Sequence, residues 1–235
     1  MVSRTAILAM AASFWSSAGG RHAFGTPVDL ERAAIGILPL AVHRVSKLST
    51  ATVSEILARF GHTGFEIGTP RNLRGCLVAD LGVGLVLVEA NDPIDEQRLT
   101  LAHEVAHFLL HYLTPRNRAI AAFGPRIVPM LERTRSPTRA ELFSSALRAV
   151  PITPFRHAME RNGTRPVGNV AAMETEADEL ALELLAPHDV VHLSAVNANA
   201  IALRFGIPLD AAMRLIANDS RVVTTIGVEG LFGIR

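Results

Sequence analysis

Apolar residues recur at helical spacing in several stretches of the chain, and most of these stretches are bounded by helix-starting or helix-stopping residues. Val53, Ile56, Leu57 and Phe60 share one face of a helix expected over Thr52–Phe60, which Gly61 ends. A second short helix is expected over Asp29–Ile37. The runs Cys76–Asp80 and Leu85–Glu89 are β-like. Gly82-Val83-Gly84 separates them, so they predict a hairpin. Asn91-Asp92-Pro93 reads as a helix start, with Asp92 as cap and Pro93 in the first turn. That helix should run to about Leu113, where Thr114-Pro115 stops it. Residues 115–170 are rich in Pro and Arg and read as an insertion carrying one helix near Thr138–Ala149. A clear helical pattern returns over about Val170–Leu185 and stops before Pro187. Helices over Ala195–Phe205 and Leu209–Ala217 follow, split by Gly206-Ile207-Pro208, and Val222–Ile226 reads as a strand. Residues 1–26 are rich in Ala, Ser and Gly and are expected to be loosely ordered. The class this predicts is α+β.

With 235 residues, 49% of them hydrophobic, the chain has material for one large domain or two small ones. The expected division is an N-terminal helical or loosely ordered segment, 1–60, a central domain, 61–190, with the insertion at 115–169, and a C-terminal segment, 191–235. A net charge of +1 points to no nucleic-acid or membrane partner. The charge is nonetheless uneven. Ten arginines lie between Thr114 and Pro166, opposed only by Glu132, Glu141 and Glu160, whereas Val167–Val190 holds six acids and no Lys or Arg. This describes either two solvated faces of opposite sign or a basic loop that docks a partner. The single cysteine, Cys76, lies in an apolar run and reads as a small core residue without a disulfide. Ala6–Trp15 follows Arg4 and faintly resembles a signal segment, but Ser13, Ser16 and Ser17 interrupt it. No apolar run approaches the roughly 18 to 20 residues of a spanning helix, so the expected location is cytoplasmic.

Candidate chemistry concentrates on two helices. His103-Glu104-Val105-Ala106-His107 is an HExxH motif on the first. Histidines at i and i+4 lie one turn apart on one face, so both imidazoles can reach one metal ion. Glu104 lies beside them, placed to take a proton from a water that the metal activates without itself being a ligand. His111, another turn along, is about 12 Å along the axis from His103, too far to share that ion. It reads as a cleft wall or a satisfied structural histidine. The third ligand is sought on the second helix, Glu174-Thr175-Glu176-Ala177-Asp178. Helical phase puts Glu176, Glu179 and Glu183 on one polar stripe. Glu174 shares the packing face with Ala177, Asp178, Ala181 and Leu185, where an acid needs compensation. Asp178, one turn on, can orient a ligand histidine. The expected set is therefore His103, His107 and Glu174 on the metal, Glu104 as base and Asp178 behind a ligand. Two imidazoles and one carboxylate suit zinc, and manganese or iron can occupy such a set. The oxyanion donor stays open among His111, Tyr112, His157, His188 and His192.

The stretches RLTLAHEVAHFLLHYL (Arg98–Leu113) and ETEADELALELLAP (Glu174–Pro187) resemble the paired motifs of the ImmA/IrrE family of metallopeptidases. That family pairs an HExxH helix with an ExxA(N/D)xxA helix ending in Leu-Leu-x-Pro. LRFGIPLDAAMRL (Leu203–Leu215) is similar to the short helices that follow there. The resemblance implies a compact zincin-like, minimal gluzincin fold: a small antiparallel sheet, the HExxH helix and a second ligand-bearing helix. It also implies peptide-bond hydrolysis with ligands His103, His107 and Glu174 and catalytic Glu104. Members are known for cleaving helix-turn-helix transcriptional repressors, so the implied partner is a protein substrate of that kind. The chain departs from the pattern in its long 115–170 insertion, in Leu180 where Phe is usual, and in Ala186 where Met is usual.

Other functions fit parts of the sequence. A general peptidase would use the same site. Leu203–Leu215 has the apolar spacing of a helix-turn-helix, but it holds few basic residues and its second helix opens with Asp210. A metal sensor without proteolysis would have lost its base, and Glu104 is present.

Overall fold

The computed structural model describes residues 2–61, 70–148, 150–162, 167–189 and 197–217. Strands β2 (Leu73–Asp80) and β3 (Val83–Glu89) form the expected hairpin, with Asp80 opposite Val83. Its turn is Leu81-Gly82, with φ of 49° and 88°. Positive φ at both positions matches the twist of the flanking strands, at a steric cost for leucine that glycine does not carry.

Two further strands flank the hairpin. β1 (Leu40–Val45) pairs with β3 in parallel, and β4 (Phe155–Glu160) pairs with β2 antiparallel, giving the order β1-β3-β2-β4. The sheet is therefore mixed rather than antiparallel. Helix α3 (Thr50–Arg59) and β2 lie between β1 and β3 in the chain, and such a crossover is what a parallel pair requires. β4 comes from the segment expected to hold only a helix. Its sequence, Phe-Arg-His-Ala-Met-Glu, is too polar to announce a strand.

Alternation along the strands divides their side chains between two faces. Leu77, Ala79, Val86 and Val88 enter the main core. Cys76, Val78 and Leu87 cluster on the other face with Val53 and Leu57 of α3. The main core is completed by α4 (Ile94–His107) and α8 (Gly168–Leu185), which pack along one another.

The helix begun by α4 does not stop at Thr114-Pro115. It widens into a π-helical turn over Phe108–Leu113 and resumes as α5 (Thr114–Phe123). Proline lacks an N–H and crowds the carbonyl one turn earlier. The wider turn accommodates that crowding, and the Thr114 hydroxyl donates to the Leu109 carbonyl at 2.7 Å.

Arg4–Ser17, within the stretch expected to be loosely ordered, is a helix built into the same core. Ser3 caps α1 (Arg4–Ser17), whose Ile7, Ala11, Phe14 and Trp15 are buried at helical spacing, and α1 packs on α8. The apolar face that faintly resembled a signal segment is thus a packing face in this fold. Asp29, the first residue of the helix expected over Asp29–Ile37, caps α2 (Leu30–Ile37).

The 115–169 segment has its own small cluster of Ala119, Ile127, Met130, Leu131 and Val150, which includes α6 (Val128–Leu131). The helix expected over Thr138–Ala149 is shorter: α7 (Arg139–Phe143) begins with a Thr138–Glu141 capping box. Beyond α8 come α9 (Ala198–Phe205) and α10 (209–217). Ile201, Phe205, Ile207, Ala211 and Ala212 bury one side of this pair in the main core. The expected strand Val222–Ile226 lies outside the described residues. Among the described residues no helix is long and apolar enough to cross a membrane.

Candidate metal centre

Helix α4 lies between the sheet and α8, so the HExxH residues are enclosed: His103 is 3% exposed, Glu104 0% and His107 1%. Close approach to β2 is made possible by Gly75. A Cβ there would stand 2.5 Å from Thr100 Cγ2 and 3.1 Å from Glu104 Oε1. Any larger residue would push α4 and its carboxylate off the sheet.

The two histidines of α4 turn the same nitrogen inward. His103 Nε2 and His107 Nε2 are 3.0 Å apart. Glu174, on the first turns of α8, reaches them from the other side. Its Oε2 is 3.3 Å from His103 Nε2 and its Oε1 is 3.6 Å from His107 Nε2. The expected trio therefore converges. A fourth donor joins it from β4: His157 Nε2 is 3.1 Å from Glu174 Oε1. One ligand atom from each of His103, His107, His157 and Glu174 can be chosen so that all four lie within 4.8 Å of one another.

These separations suit a metal ion. Ligands at about 2.0 to 2.2 Å from a tetrahedral zinc stand about 3.3 to 3.6 Å from each other. The observed 3.0 to 3.6 Å brackets that edge. Three imidazoles and a carboxylate also have the donor chemistry of zinc, copper, iron or nickel rather than of calcium or magnesium. The His103, His107, His157 and Glu174 group could hold such an ion, and its identity is not encoded in these distances.

Behind each inward Nε2, the opposite ring nitrogen is engaged. His103 Nδ1 is 2.8 Å from Asp178 Oδ1, the partner expected for a ligand histidine. His107 Nδ1 is 3.0 Å from His111 Nδ1, and His111 Nε2 is 3.3 Å from Glu176 Oε2. Because Glu176 only accepts, His111 donates through Nε2 and accepts at Nδ1, so His107 donates from Nδ1 and keeps Nε2 bare. His157 Nδ1 is 2.8 Å from Glu104 Oε2.

The electrostatics follow this geometry. Burial opposes charge on His103, but the hydrogen bonds to Asp178 and Glu174 prevail and raise its pKa to about 9. Burial likewise opposes charge on His157, and Glu104 and Glu174 together raise it to about 10. His107 behaves oppositely: burial dominates, His157 and His103 repel its charge, and its pKa falls to about 4. Burial alone would raise Glu174, but the three surrounding imidazoles hold it well below the ordinary carboxylate range.

Glu104 is the one candidate base within reach of the cluster that is fully buried, and its Oε1 has no hydrogen-bond partner among the described residues. Such an atom is costly to bury.

Some expectations need correction. Glu176 does not lie on a solvated stripe with Glu179 and Glu183. It is 8% exposed, bonded to His111, and accepts from the Val2 amide. Asp178, placed on the packing face by helical phase, lies at its edge, with a side chain 61% exposed. His157 was expected only as one of several oxyanion donors, yet it stands among the ligand atoms. Of the others, Tyr112 Oη accepts from the Gly82 amide at 2.6 Å and His188 pairs with Glu183. His192 lies outside the described residues. Two arginines of the basic segment are engaged within the fold: Arg133 forms a fork with Asp80 at 2.7 and 2.8 Å, and Arg135 one with Glu141 at 2.8 Å.

The fold and site together define an α+β protein with a three-histidine, one-carboxylate group that could hold a metal ion. No family model matches the chain, and no curated protein matches it.

Proposed function

We propose that this protein is a metal-dependent peptidase whose centre is formed by His103, His107 and Glu174, with Glu104 as the base. The observation that carries the reading is the convergence of these side chains from α4 and α8 around one point, with a buried carboxylate beside it. A bound divalent ion, zinc by preference, would supply Lewis acidity, polarising a peptide carbonyl and making water acidic enough to attack at neutral pH. The chain's own contributions are distinct. Asp178 holds the His103 ring with Nε2 inward, and His111 does the same for His107. Glu104 would take a proton from the attacking water at a carboxylate oxygen and pass it to the leaving nitrogen. Burial of α4 against the sheet keeps that carboxylate from turning toward solvent.

The substrate reading is narrower and rests on the resemblance of the two helix motifs to the ImmA/IrrE family. On it, the protein makes a defined cut in a cytoplasmic helix-turn-helix repressor. The decisive experiment incubates zinc-loaded protein with a repressor encoded beside it and with unstructured casein. One defined fragment pair from the repressor supports the reading. Digestion of casein at many sites, with the repressor intact, replaces it with a general peptidase. No cleavage of either by protein with bound metal removes the peptidase reading.

A second reading is favoured by one observation. His157 offers a fourth protein donor, and four protein donors are the mark of closed, non-catalytic zinc sites. On that reading the centre senses or stores metal.

A further inference from the structure

The three histidines of the centre share one arrangement. Each presents Nε2 to the common point and has Nδ1 engaged by a neighbour. The neighbour is Asp178 for His103, His111 for His107 and Glu104 for His157. In ligand histidines, a bond of this kind fixes the ring and leaves the opposite nitrogen bare for the metal. Glu104 thus does for His157 what Asp178 does for His103. A carboxylate can only accept from Nδ1–H, so the neutral His157 ring has a bare Nε2. That nitrogen faces another acceptor, Glu174 Oε1, at 3.1 Å. Two acceptors face each other stably only around a cation or a proton. The ring is also aligned with its neighbour: His107 and His157 stack with centroids 3.8 Å apart and planes inclined by 21°.

We infer that His157 is a fourth protein ligand of the resting metal ion, through Nε2, with Glu104 as the carboxylate that orients it. This rests on the metal-site reading above and changes its resting state. With four protein donors the centre is closed at rest. His157 lies on β4, the edge strand, which pairs with β2 alone in the sheet, whereas the other three donors lie on the packed helices α4 and α8. It is therefore the ligand that can leave with least disturbance to the core. Its departure would open a coordination position and free Oε2 of Glu104 together, tying access to the ion to availability of the base.

The test is X-ray absorption on the zinc-loaded full chain, counting imidazole ligands. Three are expected in the unmodified protein and two in His157→Ala. Cobalt-loaded protein should show intense four-coordinate visible absorption that weakens in the same variant. Chelator competition should place zinc affinity of His157→Ala at least about 10-fold lower. Glu104→Gln should keep three imidazoles, because its amide oxygen still accepts from Nδ1. Two imidazoles in the unmodified protein overturn the inference and leave the three-ligand site standing, an outcome that needs no variant to fold. Three imidazoles that persist in His157→Ala also overturn it, since the third then comes from another histidine. Failure of the unmodified protein to bind zinc at all removes both this inference and the metal-site reading.

Discussion

His107 and His111 meet nitrogen to nitrogen, Nδ1 to Nδ1, at 3.0 Å. The contact lies where the α-helix of His107 opens into the π-helical turn of His111. It passes on to Glu176, and through Glu176 to the Val2 amide, so the setting of a candidate ligand is tied to the N-terminal segment. Removing a partner that orients a metal ligand lowers affinity by about 10- to 100-fold. His111→Ala and Glu176→Ala should each weaken zinc binding in that range while leaving the imidazole count unchanged. Chelator competition measures it, and unaltered affinity in both variants would show that the relay does not set the ligand.

The base and its support make separable predictions. Glu104→Gln should keep the metal and lose peptidase activity, read by zinc content and cleavage of the same substrate. Equal activity would remove Glu104 from the mechanism. Gly75→Ala should act through packing, since its Cβ would meet Thr100 at 2.5 Å. Overpacking of this kind costs about 1 to 3 kcal/mol, and thermal melting should show the loss.

The metal-free protein should have a distinctive stability profile. His103 and His157 titrate near 9 and 10 in the fold, above about 6.5 in the unfolded chain. Their contribution is fully present below about 6.5 and is lost as pH rises through 9 to 10. His107, depressed to about 4, adds the opposite limb: it costs stability as pH falls from about 6.5 toward 4. Melting temperature without metal should therefore peak near neutrality and fall on the alkaline side. Excess zinc should remove the alkaline fall, because metal replaces those protons and binds better as they dissociate. An apoprotein equally stable at pH 7 and 10 would contradict these assignments.

The arginines of the 115–169 segment should matter for stability before they matter for substrate choice. Arg133→Ala should cost about 1 kcal/mol or less, as expected of a partly exposed pair. The Arg135 guanidinium and the Thr138 amide hold Glu141 down to about 2. Its contribution is present above the ordinary carboxylate range and is lost as pH falls toward 2. Melting curves of Arg133→Ala and Arg135→Ala, beside their cleavage patterns, check this. A changed cleavage pattern with unchanged melting would restore a docking role.

What the sequence determined was local. The i, i+4 spacing puts His103 and His107 on one helical face whatever surrounds them. Gly82 reads as part of a turn before any packing is known. The choice of Glu174 over its neighbouring acids also followed from helical phase. Phase erred for Glu176, because a stripe that looks solvated on an isolated helix is covered here by the π-helical turn and the N-terminal segment. The parallel pairing of β1 and the burial of α1 were equally out of reach, since both depend on contacts distant in the chain. His157 is the clearest case. It is 53 residues from Glu104 in sequence. It reaches the centre because β4 pairs with β2 in the register that sets His157 opposite Leu77. Helical spacing fixes neighbours within a turn, but strand register, and with it the fourth donor, is decided only when the sheet closes over α4.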